Sequence, residues 1–100
     1  MRTTKAEREA RAKLFKERLD RAEVLADLFM EAGWTVRKFV PRSTWFDASF
    51  TYIDVPIQII VDVFNNGRIG VRGAGRSDRQ LARSEGEKVI VAAGLGDLLV

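Results

Sequence analysis

The chain has no cysteine and no histidine. Without cysteine there is no disulfide framework and no thiolate metal site. Without histidine the commonest general base, the usual partner of a nucleophilic serine and the commonest zinc ligand are all missing. Proline occurs only at positions 41 and 56. No apolar run approaches the ~20 residues that a membrane-spanning helix needs. The first stretch, MRTTKAEREARAKLFKERLDR, is charged throughout and holds no apolar signal core. These absences predict a cytoplasmic protein with no membrane partner, no metal and no cofactor.

What is present is a chain of 100 residues with a 46% apolar fraction, the size and make-up of one small domain. We read residues 1–100 as that domain, with 1–12 free to project or fray. The net charge is only +3, but it is unevenly placed. Residues 1–21 hold eight basic and four acidic side chains, and residues 65–83 hold five arginines and one aspartate, so each segment carries +4. Two basic segments on a background that sums to −5 are a footprint for an acidic partner, or simply solvated surface.

Thr4 and Glu7 give the T-x-x-E signature of a helix start. Phe15, Leu19, Ala22, Ala26 and Phe29 then recur at helical spacing, and Gly33 suits a left-handed cap. The pattern predicts one helix of about 28 residues, roughly 42 Å long. Pairs such as Glu7–Arg11, Glu9–Lys13 and Glu17–Arg21 would support its polar turns. Strands are expected at 34–40, 49–54 and 57–64, with 41–47 as a loop. In IQIIVDVF, Ile57, Ile59, Val61 and Val63 share one face, and Gln58, Ile60, Asp62 and Phe64 the other.

The stretch FNNGRIGVRGAGRSDRQ (64–80) holds four glycines and four arginines. A three-residue loop, Asn65-Asn66-Gly67, pairs Val63 with Ile69 and Val61 with Val71 and puts four apolar residues on one face. It also places Gly67 where a type I turn with a bulge needs positive φ. Asp62, Arg68 and Arg72 would then face away from the core. Ser77 is expected to cap a short helix, Ser84 and Glu87 repeat a capping pattern, and 87–93 reads as helix in preference to strand. The terminal DLLV is expected to pack on the sheet. The fold class is α+β: a long N-terminal helix on a three- to four-stranded antiparallel sheet, then a short C-terminal helix, in the order α-β-β-β-β-α.

GVRGAGRS (70–77) differs from the phosphate-binding P-loop pattern in having Arg76 where the lysine belongs, and it follows a hairpin arm where a parallel strand is required. GAGRSDRQLA (73–82) resembles the glycine-x-glycine-x-serine entry to the second helix of double-stranded-RNA-binding domains, which also begin helix–strand–strand–strand–helix. The family's paired lysines fall here on Asp78 and Arg79, and its small apolar positions on Ser84 and Glu85, so the chain is not assigned to it. Asp54 and Asp62 are the carboxylates a metal-dependent nuclease would use. The position two beyond Asp62 is Phe64, where small nucleases of the restriction-enzyme type carry lysine.

No catalytic constellation emerges, and the chain is read as a non-enzymatic accessory module that binds a protein partner. The binding residues expected from sequence are Arg42, Trp45 and Phe46 in the 41–47 loop, with Arg68, Arg72, Arg76 and Arg79 in the hairpin and the connector after it. The alternative is nucleic-acid binding, with those four hairpin and connector arginines and the basic N-terminal helix on backbone phosphates. A homodimer through the helix or the apolar C-terminus is compatible with either.

Overall fold

A computed structural model describes residues 4–17, 21–41 and 43–100. Among these residues the elements run α1 (Lys5–Glu17), α2 (Arg21–Glu31), β1 (Thr35–Arg37), β2 (Trp45–Tyr52), β3 (Val55–Val63), β4 (Ile69–Gly73) and α3 (Arg79–Ala92). A single 3-10 turn follows at Gly96–Leu98. The four strands form one antiparallel sheet in sequence order. The fold is α+β as expected, but the N-terminal helical segment is two helices.

The single long helix is therefore corrected. At roughly 42 Å it would outrun the molecule, whose largest extent is 36 Å. Instead Arg21 donates from Nη2 to the Lys16 carbonyl at 2.9 Å near the end of α1, and α1 lies beside the C-terminal segment. Phe15 is buried there, Arg11 donates to the Ala93 carbonyl at 3.5 Å, and Arg8 lies against Gly94. The start of α1 follows the sequence: the Glu7 amide donates to Thr4 Oγ1 at 3.1 Å. None of the pairs Glu7–Arg11, Glu9–Lys13 and Glu17–Arg21 forms at ion-pair distance. Leu19, placed on the helical stripe by its spacing, lies outside the described residues.

α2 ends as its sequence predicts. Gly33 has φ +94°, its amide donates to the Met30 carbonyl, and the Trp34 amide reaches back to the Phe29 carbonyl, both at 3.0 Å. A left-handed residue is what lets these two bonds close, and glycine adopts it without a Cβ clash. The same step sets the Trp34 ring on Phe29 with centroids 5.2 Å apart, so the cap also completes the core.

The β3–β4 hairpin has the expected register, with Val63 opposite Ile69 and Val61 opposite Val71. The Phe64 amide donates to Arg68 O and the Gly67 amide to Phe64 O, which closes the three-residue loop. Ile57, Ile59, Val61, Val63, Ile69 and Val71 are all buried, under α2 on one side and α3 on the other. The chain end is also on the sheet: Leu99 bridges Ile69 in parallel, and the Val100 amide donates to the Ile69 carbonyl at 3.0 Å.

Three local expectations are overturned. β1 stops at Arg37, because Lys38 turns onto α2 and pairs with Asp27 at 3.0 Å and Glu23 at 3.6 Å. Its hydrogen bond to Asp27 raises the ammonium above its ordinary pKa. β2 begins at Trp45, not 49, and β3 at Val55, joined by the two-residue turn Ile53-Asp54 with φ of +47° and +62°. Asp54 tolerates that conformation but β-branched Ile53 does not, and no glycine is present, so the turn carries little sequence signal. Pro56 opens β3 where β4 does not reach, since the β3–β4 pairing starts at Ile59, so its missing N–H interrupts no bond to β4.

The third correction concerns α3, a single helix of 14 residues capped by Asp78. Asp78 Oδ1 accepts from the Leu81 amide at 2.9 Å. Ser77 is drawn elsewhere: its Oγ accepts from the Gln58 amide at 2.7 Å, just past the end of β4. Gly86 does not break the helix but brings it close. A Cβ there would stand 2.7 Å from Val71 Cγ1 and 2.8 Å from Ile59 Cδ1, both buried. Gly86→Val is expected to destabilise the fold by about 2–3 kcal/mol, read from a urea melt, through overpacking of the helix–sheet contact.

Candidate interaction surface

Alternation along the strands decides which side chains stand on the face that α2 and α3 leave uncovered. Beside the Thr51–Pro56 pair, three longer cross-strand rows result. Thr35, Ser49 and Gln58 form a polar row. Arg37, Asp47, Ile60 and Arg72 form a charged row with isoleucine in it. Trp45, Asp62 and Gly70 form the third. Most of these side chains are exposed and the rest half-buried, apart from Gly70, which lies beneath the Phe64 ring.

The third row is framed by aromatics. Phe39 stacks on Trp45 with centroids 4.1 Å apart and the planes tilted by 34°. Phe39, Val40, Trp45 and Phe64 are all exposed. Apolar surface of this kind beside a polar sheet face is what a protein interface presents. A shallow groove of about 380 Å³ runs along the other two rows, floored by Ser49, Gln58 and Ile60 and bounded by Arg37 and Gly75.

Electrostatically the face is balanced. Arg72 Nε donates to Asp62 Oδ2 at 3.1 Å, a pair open to solvent and therefore worth at most about 1 kcal/mol. Asp47 Oδ1 is shielded from water and has no donor among the described residues. An acceptor left in that state costs stability until something supplies a proton donor.

The sequence-predicted binding residues separate into different places. Trp45 is exposed as expected but stands in β2, not in a loop, because Phe39 and Asp62 flank it on the open face. Phe46 is not a surface residue: it is 1% exposed and packs on Phe29 with centroids 5.5 Å apart, since the next residue of a strand points to the other face. Arg42 lies outside the described residues. Arg72 is on the open face, whereas Arg68, in the loop before β4, reaches sideways to the Asp97 carbonyl at 3.1 Å. Arg79 folds back onto the Gly73 carbonyl. Arg76 is exposed in the β4–α3 connector. The four arginines thus do not form one cluster.

Asp54 sits in the β2–β3 turn and Asp62 near the far end of β3, separated by about 20 Å or more of extended strand. They cannot share a metal ion. No cluster of three or more carboxylate, imidazole or thiol groups suited to a metal occurs among the described residues. The start of α3, where the P-loop-like stretch would hold phosphate, already carries the Asp78 carboxylate. Phe39, Gln58 and Ile60 were not singled out from sequence. The alternation of 57–64 does mark Gln58 and Ile60, whereas Phe39 gives no such signal because its strand ends two residues earlier. Comparison with protein-family models, curated proteins and solved structures finds no match.

The two tryptophans differ sharply, with Trp45 37% exposed and Trp34 6%. Acrylamide quenching of the native protein should resolve an accessible and a shielded emission component. Trp45→Phe should remove the accessible one and leave a single shielded component.

Proposed function

We propose that the chain is a non-enzymatic protein-binding module whose interface is the open face of the sheet. The observation that carries this reading is the exposed Phe39–Trp45 stack at the margin of a face that holds Ile60 among paired charges. Exposed tryptophan is among the residues that dominate binding energy at protein interfaces. A cytoplasmic setting goes with this reading, and a chain without cysteine suits it. Immobilised wild-type protein and the Ile60→Glu and Trp45→Ala variants would be compared for the proteins they retain. Both variants are expected to lose at least tenfold of whatever the wild type holds specifically. Equal retention by all three removes the face from consideration.

A second reading, nucleic-acid binding, is favoured by one feature. The β3–β4 loop comes to the start of α2, where Arg21 Nη1 would be 3.6 Å from a Cβ on Gly67. The two basic segments of the sequence therefore meet, with Lys16, Glu17 and Arg21 lining a groove that also contains Phe64 and Asn65. Binding to duplex DNA or duplex RNA by this edge would fall steeply between 50 and 200 mM salt and weaken in Arg21→Glu. Titrations that show no association at low salt exclude it.

A further inference from the structure

We infer that the occupant of the open sheet face is a second copy of this chain, in a two-fold dimer; this rests on the reading of that face as a protein interface. A two-fold contact places one patch against itself, so a charged patch is self-complementary only if it carries both signs. This one does: Arg37 and Arg72 stand with Asp47 and Asp62, two cations and two anions on a chain whose net charge is +3. A uniformly acidic or basic partner would gain little from a balanced face, because electrostatic complementarity needs opposite potentials.

The four strands, of 3, 8, 9 and 5 residues, give a face of about 400 Å². Two such faces bury on the order of 800 Å², the size of a weak, transient contact. Ile60 and the Phe39–Trp45 stack provide its apolar part. The dimer is accordingly a weak one.

Sedimentation velocity of the full chain from about 5 to 500 μM tests this. The wild type should pass from monomer to dimer across that range. Ile60→Glu should raise the dissociation constant at least tenfold, and Met30→Glu, on the exposed side of α2, should leave it unchanged. Circular dichroism checks that each variant is folded; if Ile60→Glu is not, Arg72→Glu at an exposed position takes its place. A wild type that stays monomeric at 500 μM overturns the dimer. The face reading still stands in that case if Trp45→Ala loses a retained protein. A dimer indifferent to the face variants overturns the inference by placing self-association elsewhere. If retention is also unaffected, the interface reading falls with it.

Discussion

The constraint on which the molecule depends is the strict alternation of β3. Ile57, Ile59, Val61 and Val63 go under the helices, and the residues between them are forced to the other side. Both neighbours pair with this strand, so its phase sets theirs: Phe46 and Ala48 on β2, and Ile69 and Val71 on β4, can bury only in this register. A slip of one residue would exchange the two faces and place Asp62 in the core. The open face is therefore not an independent feature of the surface. It is what the burial of the other face leaves behind.

The helices meet this sheet at two unequal distances of approach. α2 brings large side chains, with Phe29 between Trp34 and Phe46 in edge-on contacts. α3 brings a glycine, and its backbone comes down onto Val71 and Ile59. The two helices thus cover one face of the sheet in different ways, α2 with large side chains and α3 with its backbone. The same economy is seen in the caps, where Gly33 and Gly94 each turn the chain so that the next residue, Trp34 or Leu95, is buried.

Where the sequence was legible, a residue type had only one place to go. Asn65-Asn66-Gly67 set a loop length because Gly67 tolerates positive φ, and the apolar period of β3 set the core face. It misled where two residues of similar chemistry competed. Ser77 and Asp78 both cap helices, and only the path of the chain past β4 assigns Ser77 to Gln58. After Pro41 and Ser43, Trp45 and Phe46 look alike as loop aromatics; once they belong to a strand, neighbours in sequence become opposites in space. The Ile53-Asp54 turn was invisible because its strain is imposed by the strands on either side, not chosen by its residues. The candidate interface was legible only in fragments, since its rows are assembled from four strands.

The C-terminal bridge from Leu99 and Val100 to Ile69 has a consequence for how copies of this chain can meet. It occupies the outer edge of β4 at Ile69, the strand's first residue. At the opposite margin β1 offers only three residues before Lys38 is tied to α2. A sheet whose lateral margins are stopped in this way resists being extended into a ribbon. Strand addition, which has no natural end, is thereby disfavoured at both margins.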